Sequence, residues 1–176
     1  VLPVSSGPFK EGESVVLPDR FREEYHHFIG SKDDSLALVQ YDMKEMGSAL
    51  TVLPQVAELV AGEKINLSDT AGELLGKEGA DASLTVGNLL SGYKESNKAG
   101  LLNELLCKYR RHTSVEEVAC AMFAELGMRS TSVSGSVVTT ASYDFDKYMF
   151  TIKNGGKYAG KQVLSPKAAQ LVLEYF

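Results

Sequence analysis

The chain has 176 residues, enough for one domain that buries roughly 70% of the surface its unfolded form would expose. Hydrophobic residues make up 44% and charged residues 23%, as in a globular protein rather than a disordered tail or a coiled coil. The net charge is −5 and the one tight basic run, residues 108–112, is too short to follow a phosphate backbone, so we expect no nucleic-acid partner. No apolar run approaches the ~20 residues of a bilayer-spanning helix, so we expect no transmembrane segment.

The N-terminal region divides at residue 18. Residues 1–17 contain three glycines or prolines in their first eight positions and no apolar period, which predicts an extended arm. Residues 18–176 are predicted to form a single domain, which begins with a helix over 18–29. The apolar stretch at 35–41 is the best strand candidate. His26 and His27 would point about 100° apart on the helix, which does not suit one metal ion, and we expect no metal or other cofactor.

Apolar periodicity predicts a succession of helices in the rest of the chain. The first spans 42–61, is kinked at Pro54 and ends at Gly62, a glycine after the helix. The others are predicted at 68–76, 83–91, 97–110, 114–126, 141–153 and from Pro166 onward.

The boundaries of these helices carry their own signals. Ser68 and Ser114 are the predicted N-caps of two of them, and Gly127 closes the helix that Ser114 opens. Asn154-Gly-Gly is the predicted C-cap of 141–153, and Pro166 the first residue of the final helix. Residues 129–140 are predicted to be a loop or a poor strand. The sequence thus predicts about seven helices and one convincing strand, a mainly α fold with minor β structure.

Two features bear on the compartment. Cys107 and Cys120 are too few for a disulfide framework, and we interpret them as buried free thiols. The first residue is Val1 rather than Met, and Asn66-Leu-Ser is an N-glycosylation sequon. These two observations favour an organelle such as the mitochondrion, or a secreted or periplasmic location.

Several short motifs occur in an order that belongs to one family. They are Asn154-Gly-Gly-Lys-Tyr-Ala-Gly-Lys-Gln-Val-Leu-Ser-Pro166, Gly135-Ser-Val-Val-Thr-Thr-Ala-Ser-Tyr-Asp144, Glu125-Leu-Gly-Met-Arg-Ser-Thr131, Leu84-Thr-Val-Gly-Asn-Leu-Leu-Ser91 and Val60-Ala-Gly-Glu-Lys-Ile-Asn-Leu-Ser-Asp69. The set resembles the serine β-lactamase and penicillin-binding-protein-like family, in its class C or esterase-type branch. The positions that match its structural motifs are Gly62, Gly127, Asn154, Gly155, Gly156, Gly160, Ser165 and Pro166.

The resemblance implies a catalytic Ser-x-x-Lys, whose lysine lies one helical turn from the nucleophile and takes its proton. At the family's spacing from Gly62, the nucleophile falls at Glu45 and the lysine at Ser48, and neither residue suits its role. The family's Tyr-Ser-Asn motif maps onto Glu95-Ser-Asn97, with Glu95 in place of the phenol. The Lys-Thr-Gly strand that completes the family's site has no counterpart before Phe176.

Ser91-Gly-Tyr-Lys94 is a literal Ser-x-x-Lys, but it follows Leu89-Leu90, where the family has a non-catalytic loop. It makes Ser91 a weak alternative nucleophile.

The resemblance therefore implies a shortened helical remnant of the β-lactamase-like α/β fold that lacks the C-terminal sheet strands. Our first hypothesis is a non-catalytic scaffold or accessory subunit of a larger assembly, in which the arm 1–17 and the strand 35–41 contact other protein subunits. A second is a residual serine hydrolase that uses Ser48 or Ser91. A third is a small-ligand binder whose vestigial pocket is lined by Glu45, Ser48 and Glu95. The two carboxylates of this pocket, Glu45 and Glu95, would suit a cation.

Overall fold

The computed structural model describes residues 40–110, 113–135 and 137–176. In these ranges the chain is mainly helical with two small antiparallel sheets, which confirms the prediction of a mainly α fold with minor β structure. The predicted arm, the helix over 18–29 and all but the end of the strand at 35–41 lie outside the described residues.

The elements of the described ranges follow in chain order. They are β1 (Gln40–Asp42), a 3-10 turn (Lys44–Met46), α1 (Gly47–Leu50), α2 (Val52–Ala61), α3 (Ala71–Leu75), a second 3-10 turn (Gly79–Ser83), α4 (Val86–Ser91), α5 (Ser96–Tyr109), α6 (Val115–Glu125), β2 (Ser132–Ser134), β3 (Val137–Ala141), α7 (Ser142–Lys153), β4 (Lys157–Tyr158), β5 (Lys161–Gln162) and α8 (Pro166–Tyr175). None of these helices is long and apolar enough to cross a bilayer.

The predicted helix over 42–61 is divided. Its first part is the 3-10 turn and α1, and α2 follows after Thr51, whose φ of −112° and ψ of −74° depart from helical values. Pro54 is the third residue of α2, where its missing N–H has no helical partner to lose. The break comes before Pro54 rather than at it because the proline ring excludes a helical position for the carbonyl of Leu50, four residues earlier.

The helix α2 ends at Gly62, as predicted. Gly62 has a φ of −81°, and the residue in the left-handed conformation is the next one, Glu63, with a φ of 59°. The N–H of Gly62 donates to the carbonyl of Glu58, so the helix closes without a left-handed glycine.

Of the two predicted N-caps, Ser114 is confirmed and Ser68 is wrong. Ser114 opens α6 and accepts from the N–H of Glu117 (3.1 Å). Ser68 was the wrong choice, because Thr70 caps the shorter helix α3 by accepting from the N–H of Glu73 (3.2 Å). The residues before Thr70 form a separate turn in which the Asp69 carboxylate accepts from the N–H of Asn66 (2.9 Å).

Residues 129–140 were predicted as loop or poor strand, and the second alternative is confirmed by two short strands. These strands, β2 and β3, form a hairpin with a two-residue turn, and β1 pairs with the other side of β3 to give the order β1-β3-β2. The described residues therefore contain five short strands instead of one. Two interactions stabilise these strands. β-branched residues pair across them, and the Asp144 carboxylate accepts hydrogen bonds from the residues before β2, as described below.

The core is built around α2, which packs against α8 and α5. Two tyrosine hydroxyls make long-range hydrogen bonds within this core. Tyr148 of α7, which is fully buried, donates to the carbonyl of Ala49 (2.8 Å), and Tyr93 donates to the carbonyl of Phe176 (3.0 Å). Residues from both halves of the described chain thus share one interior.

Cys107 and Cys120 are both free and exposed, which contradicts the predicted burial. The buried face of α5 is formed by Leu101, Leu102, Leu105 and Leu106, and Cys107 follows them onto the outer face. In α6 the buried positions are Ala119 and Phe123, so Cys120 also points outward.

Candidate functional site

The motif that ends in Asp144 contacts the motif that ends in Thr131. The Asp144 carboxylate is 2% exposed and accepts from the N–H of Ser130 (2.7 Å) and the hydroxyl of Thr131 (2.8 Å). The Thr131 hydroxyl also lies 2.7 Å from that of Thr140, on β3. Two short hydrogen bonds to this carboxylate connect the residues before β2 to the first turn of α7, and they stabilise the contact between these two elements.

Lys147 lies one turn after Asp144 on α7. Its Nζ donates to the carbonyl of Gly127 (2.6 Å) and lies 4.0 Å from Asp144 Oδ1 and 4.6 Å from the centre of the Tyr143 ring. Burial lowers the pKa of Lys147, which Asp144 raises in part and Arg129 lowers further. Lys147 thereby anchors Gly127, the glycine that closes α6.

The Asn154 to Pro166 motif forms two turns around a tight backbone contact. Asn154 is the C-cap of α7, as predicted, and the carbonyl of Gly156 accepts from the N–H groups of Val163 (2.8 Å) and Leu164 (3.1 Å). Gly160 follows in the β4–β5 turn with a φ of 80°. Asn154, Gly156 and Gly160 thus contribute to the backbone geometry of the two turns.

Ser165 joins this motif to α2. Its N–H and its hydroxyl both donate to Glu58 Oε1 (3.0 and 2.8 Å), while its Oγ accepts from the N–H of Ala168 (3.2 Å) as the N-cap of α8. Pro166 is the first residue of that helix, as predicted.

Ser48 lies in a cleft of about 430 Å³ between α1, α5, the start of α6 and the β2–β3 hairpin. The cleft also receives the side chains of Ser96, Asn103 and Glu116, and its apolar wall is formed by Val52, Val115, Val133 and Val138. The position predicted for the vestigial lysine and the serine of the Glu95-Ser-Asn97 segment therefore meet at one cavity, which we call the Ser48 cleft.

The other predicted positions do not line the Ser48 cleft. Glu45 is exposed on the 3-10 turn, and Glu95 is exposed and pairs with Lys98 (2.8 Å) on the next helical turn. Ser91, the alternative nucleophile, is the exposed last residue of α4. The predicted pocket of Glu45, Ser48 and Glu95 is thus reduced to Ser48, because the 3-10 turn and the N-cap position of α5 leave the two carboxylates exposed to solvent.

The surroundings of the Ser48 hydroxyl bear on acyl transfer, which needs a base beside the nucleophile. The Ser48 hydroxyl makes no hydrogen bond with any residue the structure describes, and no lysine or histidine of those residues lines the cleft. Without a base within hydrogen-bond reach, a serine hydroxyl stays protonated and is a weak nucleophile.

Sequence reasoning missed Asn103 and Glu116 at this cleft, and it missed Asp146. Asp146, on α7, is 5% exposed, and burial raises its pKa to about 7. It has no hydrogen-bond or ion-pair partner in the described part of the chain. No pattern in the sequence signals the burial of Asp146, because an aspartate between Phe145 and Lys147 is equally compatible with a surface position.

Within the described ranges, no group of three or more histidines, cysteines, aspartates and glutamates is placed to hold a metal ion. No protein-family model matches the chain, and neither the curated proteins nor the solved structures provide a match.

Proposed function

We propose that this protein is a non-catalytic scaffold or accessory subunit of a larger protein assembly, descended from a β-lactamase-like serine hydrolase. The observation that carries the proposal is the Ser48 cleft, where the hydroxyl at the vestigial position has no lysine or histidine of the described residues beside it. A cleft that keeps its shape and loses its base can bind a partner but cannot activate a nucleophile.

The proposed ancestry is supported by which motif residues remain and what they contact. Thr131 and Asp144 bond to each other across two separate motifs, and Ser165 bonds to Glu58 in the segment before Gly62. The retained positions are those that connect secondary-structure elements. Glu45 and Glu95, by contrast, occupy the positions of the family's catalytic serine and tyrosine. A chain under selection for shape and released from selection for catalysis would keep this set.

A covalent probe tests the absence of catalysis. The full chain at high concentration is incubated with a fluorescent fluorophosphonate and, separately, with a fluorescent penicillin, beside the variants Ser48→Ala and Ser91→Ala. We expect no labelling above that of both variants. Labelling of the wild-type chain that is lost in Ser48→Ala would overturn the proposal.

Native mass measurement tests the assembly. The tagged full chain, isolated gently from the cells that make it, is expected to elute with other protein subunits at a mass well above 19.1 kDa. A folded monomer at every concentration would count decisively against a subunit role.

Two alternatives rest on the same cleft. A residual hydrolase is favoured by the convergence of Ser48 and Ser96, and the covalent probes decide it. A small-ligand binder is favoured by the mixture of valine side chains with Ser48, Asn103 and Glu116, because a mainly apolar cavity with a few polar groups is the usual form of a ligand site.

A further inference from the structure

Among the described strands, β2 lies at one side of its sheet, and some of its backbone groups have no partner in the described residues. Ser134 pairs with Val137 across a two-residue turn, which makes them a hydrogen-bonded pair and makes Val133 and Val138 the next, non-bonded pair. The N–H and C=O of Val133 therefore point away from β3. The same alternation is seen across β3, where the carbonyl of Val138 accepts from the N–H of Met43 on the β1 side (2.9 Å).

Neither backbone group of Val133 has a partner among the residues the structure describes. An outer strand in this state can pair with an extended segment, whose residue opposite Val133 would exchange both hydrogen bonds with it. Directly paired residues of two strands point to the same face of the sheet. The side chain opposite Val133 would therefore point the same way as Val133, into the Ser48 cleft.

The Ser48 cleft suits an aliphatic side chain. Val52, Val115 and Val138 line it around Val133, and about 430 Å³ is more than the space one such side chain requires. Buried apolar area of this kind stabilises an interface because the side chain is removed from water.

Charge differs between the two ends of β2. Among the described residues, Glu116 is the one charged residue that lines the Ser48 cleft, and the same cleft is lined by Gly135, which follows β2 in the turn. Arg129 and Thr131, which precede β2, line a second cleft of about 460 Å³ with Phe123 and Met128. An acidic group at one end and a basic group at the other select a segment of opposite polarity and fix its direction.

We propose that an extended segment of another protein adds to β2 as a fourth strand, with an aliphatic side chain in the Ser48 cleft, a basic side chain beside Glu116 and an acidic one beside Arg129. The inference rests on the proposed function as a subunit and names the surface and the kind of partner that this function uses. The backbone bonds supply affinity, and the two charges with the cleft supply selectivity.

Three variants of the full chain test the surface. Val133→Pro removes the outward N–H and replaces one valine side chain of the cleft, but it leaves the bonds between β2 and β3, which involve Ser134 and Ser132. Glu116→Lys reverses the charge at the cleft. Glu117→Lys is the matched control, since Glu117 is the next residue of α6, is exposed and does not line the cleft.

The measurement is the fraction of tagged chain that co-elutes with the assembly from the cells that make it, with far-UV circular dichroism as the control for folding. We expect at least tenfold loss for Val133→Pro and for Glu116→Lys, and retention for Glu117→Lys. A photo-crosslinking residue at Ser132 should join a segment with alternating aliphatic residues, a lysine or arginine at one end and an aspartate or glutamate at the other.

The outcomes separate the inference from the proposed function. If the wild-type chain is a monomer, the subunit function fails and the inference fails with it. If the wild-type chain and both test variants remain in the assembly, the function stands and the β2 surface is overturned. A crosslink to a second copy of this chain, or to its own residues 1–17, also overturns the inference. Should Val133→Pro lose its fold, Glu116→Lys against Glu117→Lys still decides.

Discussion

Asp144 and Asp146 lie two positions apart on α7 and are both buried, at 2% and 5% exposure, but their surroundings are opposite. Asp144 accepts from the N–H of Ser130 and the hydroxyl of Thr131. Asp146 has no such partner in the described residues, and burial raises its pKa to about 7. Two identical side chains on one helix should therefore contribute to stability with opposite signs at neutral pH.

We predict that Asp146→Asn stabilises the protein above pH 7. The pKa of Asp146 is raised from 3.8 to about 7 in the folded chain. Between these values Asp146 binds more protons in the folded state than in the unfolded state. Its contribution to the free energy of unfolding therefore falls as pH rises and is constant above about pH 8. The variant should gain about 1–4 kcal/mol at pH 8, and the gain should shrink toward pH 4. Urea denaturation at pH 4.5, 6 and 8 measures it.

The control for this prediction is Asp144→Ala. It leaves the N–H of Ser130 without its partner and should lower the free energy of unfolding by about 2–3 kcal/mol at pH 8. A loss of stability in both variants at pH 8 would show that the Asp146 carboxylate has a favourable partner.

At the scale of elements, the turn after α7 depends on two adjacent glycines with different surroundings. Gly155 and Gly156 have φ values of 65° and 85°. A Cβ on Gly155 would meet no atom within 4 Å, whereas one on Gly156 would overlap the carbonyl oxygen of Leu164. The second glycine therefore has a steric requirement in addition to the conformational one.

We predict that Gly155→Ala costs about 1 kcal/mol, the cost of a left-handed alanine. Gly156→Ala should cost at least about 3 kcal/mol, because the overlap forces the backbone apart and breaks the bonds from Val163 and Leu164. Thermal unfolding of the two variants, compared at one pH, measures the difference. Equal losses would mean that the Gly156 to Leu164 contact relaxes without cost.

A second element-scale prediction concerns two N-cap serines. Ser114→Ala removes a cap alone and should cost about 1 kcal/mol. Ser165→Ala removes the cap of α8 and also a bond to Glu58, and it should cost about 2–3 kcal/mol. A double-mutant cycle with Glu58→Ala, which removes the acceptor, isolates the second contribution, and additivity of the two single variants would refute the coupling.

Elements could be predicted where the signal is local. Ser114, Pro166 and Asn154 mark real helix ends because a cap bonds to its own first or last turn. Residues 129–140 could not be assigned in this way, because β2 and β3 depend on the Asp144 carboxylate fourteen residues away from Ser130 and on pairing with β1. The choice of Ser68 over Thr70 failed for a related reason, since Asp69 competes for the local backbone.

At the scale of the whole molecule, Tyr148 joins residues 99 positions apart by its bond to the carbonyl of Ala49. The side chain is fully buried, and burial raises its pKa well above the ordinary value, so the phenol remains a donor at any pH of interest. The bond holds α1, and with it Ser48, against α7.

We predict that Tyr148→Phe costs about 1–3 kcal/mol, since the carbonyl of Ala49 then stays buried without its donor. Tyr143→Phe is the control. It keeps the ring that lies under Lys147 and should change stability by less than about 0.5 kcal/mol. Chemical denaturation of both variants gives the comparison, and an equally small effect of Tyr148→Phe would mean that α1 finds another donor.

The sequence by itself determined that the described chain is mainly helical, where most of its helices end, and that Asn154 to Pro166 forms turns and a helix start. These depend on periodicity, caps and glycine geometry within a few residues. Only the tertiary structure decided that Ser48 faces a cleft while Glu45 and Glu95 face solvent, that Asp146 is buried beside a satisfied Asp144, and that both cysteines are exposed. Each of those outcomes depends on which face of a helix its neighbours cover, and those neighbours come from distant parts of the chain.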